Sequence, residues 1–195
     1  MNVIDLSDWN DNIDWSTIVD AGVGGVIVKI SEGRTLSELH GKHIAAAVAR
    51  GLKWGVYCYT HAQTTARAEE EAAVVIDALE SLGYGEPPLG IWFDLEAPET
   101  INLDPDDVTA ICSAFVCECN AAGYQCGIYA NYDTLTNHMY PYGLADYVPY
   151  WVAEYGSYDN DFKDENPDLR VVGWQYTESY DINDDLYDMS EWYDV

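Results

Sequence analysis

Short apolar runs alternate with longer amphipathic ones along the whole chain. Residues 3–7, 26–31, 54–60, 89–95, 126–130, 150–155, 171–176 and 186–190 form runs rich in β-branched and aromatic side chains, which predict buried strands. Between the early runs, residues 16–21, 37–50, 65–82 and 105–122 carry apolar side chains at helical spacing, most clearly in the third. Gly22, Gly51, Gly83 and Gly123 each fall just past a helix end, where a left-handed cap is wanted. Asp104-Pro105-Asp106-Asp107 reads as an N-cap, a proline at the first helical position and acids on the positive end of the helix dipole. Capping accounts for those acids without a functional role. Residues 156–168, rich in Asp, Asn, Tyr and Ser, read as a long loop.

Strands joined by crossover helices predict an α/β protein, a TIM-like barrel. Its units shorten towards the C-terminus, and the gap before the last strand is too short for a regular helix. The 195 residues also fall below the usual barrel range of roughly 200–400. Both facts fit an irregular barrel whose last strands lack helices. An open doubly wound sheet is the rival, but no G-x-G-x-x-G follows a strand. With no internal repeat, residues 1–195 are expected to form a single domain.

Charge narrows the partners. There are 35 acidic and 8 basic residues, a formal net charge of −27. No basic patch exists to meet phosphates, so nucleic acid and anionic membrane surfaces are excluded as partners. No run approaches the roughly 18 apolar residues of a membrane span. The 7 Trp and 16 Tyr are not the composition of a disordered chain. The acid excess fits a solvated surface, a high-salt habitat or repulsion from an anionic matrix, and composition does not separate these. The N-terminus opens directly on a strand, with no signal segment ahead of it.

Metal and redox chemistry find little support. The 5 cysteines include no C-x-x-C pair, so reduced, buried thiols are expected. His40 and His43, three apart on a helix, are expected to share a solvent face. The segment Asp181-Ile182-Asn183-Asp184-Asp185 fails as a calcium loop: Leu186 stands where Gly is needed and Trp192 where Glu is needed. No metal and no cofactor are implied.

Strand parity carries the chemistry. In Gly90-Ile91-Trp92-Phe93-Asp94-Leu95-Glu96 the odd positions suit packing under helices, so Gly90, Trp92, Asp94 and Glu96 point into the barrel. The same rule turns Asp5 and Ser7, Tyr57 and Tyr59, and Tyr129 and Asn131 inward. Asp188 falls near the C-terminal end of the last strand. Barrel enzymes place catalytic groups at the C-terminal strand ends, so Asp5, Asp94, Glu96 and Asp188 are expected to converge on one mouth. Like charges so close cannot all ionise, and Lys29 is the cation best placed to relieve them. A protonated acid beside an ionised partner is what glycosidic bond cleavage requires, and surrounding aromatics can stack on sugar faces. A lone Asp-x-Glu also fits a cap or a salt bridge; recurrence on several strands favours the catalytic reading.

The residues further resemble the glycoside hydrolase family 25 lysozymes, the Chalaropsis-type muramidases. The resemblance runs through Ile4-Asp5-Leu6-Ser7, Asn12-Ile13-Asp14-Trp15, Val26-Ile27-Val28-Lys29, Ser31-Glu32-Gly33, Gly51-Leu52 and Gly55-Val56-Tyr57. It continues in Trp92-Phe93-Asp94-Leu95-Glu96, Ala122-Gly123-Tyr124, Gly127-Ile128-Tyr129, Trp151-Val152-Ala153-Glu154-Tyr155, Trp174-Gln175-Tyr176 and Asp188-Met189-Ser190. It implies an irregular (β/α)5(β)3 barrel that hydrolyses the β-1,4 bond between N-acetylmuramic acid and N-acetylglucosamine in peptidoglycan. It maps the acid onto Glu96 and its partner onto Asp94. Sequence does not settle whether that partner is a direct nucleophile or assists attack by the substrate acetamide, and the acetamide route is the reading favoured here. Substrate contacts are expected from Asp5, Asp188, Lys29, Tyr57, Tyr59, Trp92, Tyr129, Asn131, Tyr155 and Gln175. A non-catalytic glycan-binding module on the same barrel is the alternative. Glu154, where many relatives carry Gln, and Cys58, where His or Phe is common, depart from the pattern. The implied protein is a monomer without a separate wall-binding module, and release through membrane lesions, as for a phage or prophage endolysin, fits the missing signal segment.

Overall fold

A computed structural model describes residues 1–193 and shows a closed eight-stranded barrel with one further strand. In chain order the elements are β1 (Asn2–Leu6), α1 (Trp15–Asp20), β2 (Val23–Glu32), β3 (Thr35–Leu36), α2 (His40–Ala49), β4 (Lys53–Tyr59) and α3 (Thr65–Leu82). There follow β5 (Ile91–Asp94), α4 (Pro98–Ile101), α5 (Pro105–Ala121), β6 (Cys126–Asn131), β7 (Pro149–Ala153), α6 (Asp161–Glu165), β8 (Arg170–Ile182) and β9 (Asp185–Trp192). The order β1-β9-β8-β7-β6-β5-β4-β2 closes through β1–β2, with β3 added to β2. All barrel pairings are parallel except those of β9, which runs antiparallel between β8 and β1.

Local chemistry sets the helices. Thr64 caps α3 by accepting from the Arg67 amide, and Gly83 ends it at φ 71°, a left-handed conformation that glycine adopts without strain. Asp104 caps α5 ahead of Pro105, as the sequence predicts. Three expectations are corrected. Residues 156–168 are not all loop: Asn160 caps the short α6. His43 does not face solvent with His40 but is buried, with its ring 6.2 Å from that of Trp15. Its helix turns that position towards the barrel. Cys58, Cys112, Cys119 and Cys126 are buried, whereas Cys117, on the outer face of α5, is exposed.

The core has two parts, divided by strand parity. Ile4, Leu6, Val56, Cys58, Ile91, Phe93, Leu95, Ile128 and Ala130 lie outside the barrel under the helices, with Phe93 stacked on Phe115 at 4.4 Å. Inside, Trp92, Trp151 and Trp192 meet at 5.4–5.9 Å between ring centroids and plug the lower barrel. Gly127 makes room for them: a Cβ there would stand 2.6 Å from Trp92 and 2.5 Å from the Pro149 carbonyl.

Candidate active site

Above the tryptophan plug, Asp5, Tyr57, Tyr59, Asp94, Glu96, Tyr129, Trp151 and Asp188 line a cavity of about 210 Å³. Asp5, Asp94 and Glu96 arrive from the C-terminal ends of parallel strands, as parity predicts. Asp188 arrives differently. It does not sit at the end of a parallel strand but midway along β9, whose antiparallel course turns its first half, not its end, to the mouth. In register, Asp94 stands between Tyr59 on one side and Tyr129 on the other.

Burial raises the pKa of all four acids, because a low-dielectric wall penalises the charged form. Asp94 is raised well above the ordinary carboxylate range, next by the charges of Glu96 and Asp5. Its Oδ1 is buried without a hydrogen-bond partner. Asp5 is also raised well above that range, by burial and then by Asp188, while the Gln175 amide pulls the other way. Asp188 is raised less, by burial first, and the neighbouring Asp5 carboxyl pulls it the other way. For Glu96 the Tyr129 hydroxyl partly offsets burial. Lys29 opposes the rise at Asp94 only weakly, since its ammonium is held 2.5 Å from Glu32.

Five expected contact residues, Trp92, Asn131, Lys29, Gln175 and Tyr155, lie outside this lining. Trp92 points inward but too deep: it is 2% exposed and its indole donates to the Leu89 carbonyl at 2.7 Å. Asn131 lies at the end of β6, and its side chain accepts from the Thr134 amide at 2.8 Å instead of facing the cavity. Lys29 sits on the rim, 5.3 Å from the Tyr59 ring centroid. Gln175 is buried behind the wall. Its Oε1 accepts from the hydroxyls of Tyr129 at 2.8 Å and Tyr155 at 2.5 Å, and its Nε2 donates to Asp5 at 2.9 Å. Glu154 is spent structurally, its carboxylate accepting from the Phe162 amide in α6 at 3.4 Å.

Sequence reasoning missed Trp151, although the parity rule applied to β7 turns Trp151 and Ala153 inward. It also missed His61. This imidazole stands 2.5 Å from Glu99 and 3.2 Å from Glu32, beside the Tyr59 ring, and ties the end of β2 to α4 at the rim. No local pattern links three residues so far apart in the chain. Among the described residues, no group of three or more His, Cys, Asp or Glu is placed to hold a metal ion, and no helix is long and apolar enough to cross a membrane.

Comparison with known proteins agrees with this architecture. The family model for glycosyl hydrolases family 25 matches residues 4–185. An autolytic lysozyme of Clostridium acetobutylicum is 26% identical over 187 residues, covering 94% of this chain and 52% of that protein. The chain thus spans about half the length of that curated relative. The modular autolysin LytC from Streptococcus pneumoniae superposes with a TM-score of 0.85 at 28% identity, over 98% of this chain and 46% of LytC. The same autolysin has been solved in complex with a synthetic peptidoglycan ligand. A bacterial lysozyme from Streptomyces coelicolor superposes with a TM-score of 0.77 over 98% of this chain and 91% of its own, and at 21% identity that likeness speaks to the fold alone.

Proposed function

The chain belongs to glycosyl hydrolases family 25, and from that premise we propose that it is a muramidase, cleaving the β-1,4 bond between N-acetylmuramic acid and N-acetylglucosamine in peptidoglycan. One observation carries the reading. Asp94 is buried with an unpartnered oxygen, next to the more accessible Glu96, at the mouth of a cavity walled by aromatic rings.

An unpartnered buried acceptor costs about 1–3 kcal/mol, and a substrate N–H removes that cost. The acetamide of the sugar donates to Asp94 Oδ1 and favours the ionised carboxylate there. The proton that Asp94 and Glu96 cannot both lack is then left to Glu96, which faces the leaving oxygen. As the glycosidic C–O bond breaks, Glu96 protonates the departing oxygen and the acetamide oxygen bonds to the anomeric carbon. Asp94 stabilises the resulting cationic ring. Glu96, now ionised, takes a proton from the water that opens that ring. Asp5, Asp188 and Tyr57 flank the sugar, and Gln175 acts through Asp5 and Tyr129 as a positioning residue. The cavity is built from one chain, so a monomer suffices, and the substrate places its work at the bacterial cell wall.

The test is clearing of a peptidoglycan suspension followed by reducing-end analysis. New ends on N-acetylmuramic acid are expected. Ends on N-acetylglucosamine would identify a glucosaminidase instead, and binding without release would identify a non-catalytic module.

A further inference from the structure

A second groove of about 240 Å³ is walled by residues 9–13, which follow β1 and its Asp5, and by Asp185, Leu186 and Tyr187 of β9, the strand that carries Asp188. Both strands that carry the cavity acids therefore run on into it. Asp185 is three residues from Asp188, about 10 Å along the strand.

The loop after β1 is held at several points. The Ser7 amide donates to Asn10 Oδ1 at 2.9 Å, and the Asn10 amide returns to the Ser7 carbonyl at 3.1 Å. Asp8 accepts from the Ser37 hydroxyl at 2.5 Å and the Leu39 amide at 2.9 Å, and the Lys42 ammonium donates to the Asp11 carbonyl at 2.6 Å. On this pinned loop Trp9 is 93% exposed, and Leu186 across the groove is 61% exposed. An indole so exposed contributes nothing to the core, and the loop's bonds do not need it. What the bonds do is fix the backbone that presents it. A rigid aromatic face loses little entropy when a ligand covers it.

Ile13 and the buried Tyr187 complete the apolar lining, and the polar part is amide and carboxylate: Asn10, Asn12, Asp11 and Asp185. Those groups accept hydroxyl and N–H donors, and no Lys or Arg lines the groove to hold a phosphate or carboxylate. An exposed indole beside amides and carboxylates matches a ligand with an apolar face and a polar rim, as a pyranose ring has.

We propose that Trp9 is the platform of a distal sugar subsite, binding an uncharged N-acetylglucosamine unit of the same glycan strand that occupies the cavity. The inference rests on the muramidase reading and extends it along the strand.

The test is calorimetric titration of β-1,4-linked N-acetylglucosamine oligomers, from the dimer to the hexamer, into the full chain carrying Glu96→Gln. Affinity is expected to rise with length. Adding Trp9→Ala should weaken the hexamer about tenfold, the size of a single aromatic hot spot, while leaving the dimer unchanged, and Trp9→Phe should restore most of the loss. In wild-type background, Trp9→Ala should raise KM on long glycan strands and leave kcat alone. Length-independent binding, or hexamer affinity unaltered by Trp9→Ala, overturns the subsite even if peptidoglycan is cleaved. A Trp9→Ala effect confined to self-association or vesicle binding overturns it as well. If the wild type releases no reducing ends, the muramidase reading falls and the subsite with it.

Discussion

Gln175 offers the sharpest quantitative test, because one buried amide holds three groups of the cavity wall. Replacing it with leucine keeps most of the volume and removes all three hydrogen bonds. Loss of the donor to Asp5, a bond to a carboxylate, costs about 1.5–3 kcal/mol. The Tyr129 hydroxyl, only 6% exposed, loses its acceptor at a cost of about 1–3 kcal/mol. Tyr155 is half exposed and regains water, so its share is about 0.5 kcal/mol. The expected total is about 3–6.5 kcal/mol, a large fraction of the roughly 5–15 kcal/mol that holds such a domain together. Urea denaturation measures it directly. Tyr155→Phe should cost about 0.5 kcal/mol alone and nothing in the Gln175→Leu background, since the bond it removes is already gone. Activity should respond too: without the amide, Asp5 is raised further, and the acidic limb of the pH–rate profile should move to higher pH. A loss below about 0.5 kcal/mol with an unchanged pH profile would refute the role of Gln175 as the hub.

Glu96→Gln should abolish hydrolysis, on the order of 10²–10⁴-fold or more, while circular dichroism and glycan binding stay as in the wild type; full activity would remove Glu96 from the role of acid. Asp94→Asn should keep some hydrolysis and bind a thiazoline analogue of the intermediate poorly, because the attraction to a cationic ring is lost. A covalent sugar adduct on Asp94, seen by mass spectrometry, would instead make it the nucleophile. Asp5→Asn should stabilise the fold at pH 8 by about 1 kcal/mol, or about 2–4 °C in Tm. Asp5 binds its proton more tightly folded than unfolded, so its ionisation costs stability at high pH. The gain should therefore shrink as pH falls through the raised folded value towards the ordinary carboxylate range, and a gain independent of pH would refute the assignment.

The sequence by itself determined what repeats locally. A strand alternates its faces every residue, so reading Ile91, Phe93 and Leu95 as outward was enough to turn Asp94 and Glu96 inward, and the same parity placed Asp5, Tyr57 and Tyr129. Helix ends were equally legible, because Asp104 and Gly83 act on backbone groups a few residues away. The tertiary structure decided everything that depends on closure. Parity says that Trp92 faces in, but only depth along the barrel makes it a plug beneath the cavity and not a wall of it. Asp188 reaches the mouth because β9 runs antiparallel to fill the gap between β8 and β1, a direction that no pattern within 186–190 encodes. Gln175 meets Asp5 across 170 residues of chain, and His61 joins Glu32 to Glu99, because the closed sheet brings distant strand ends together. Such contacts are set by packing of the whole barrel, whereas parity and capping are set by the geometry of a few bonds.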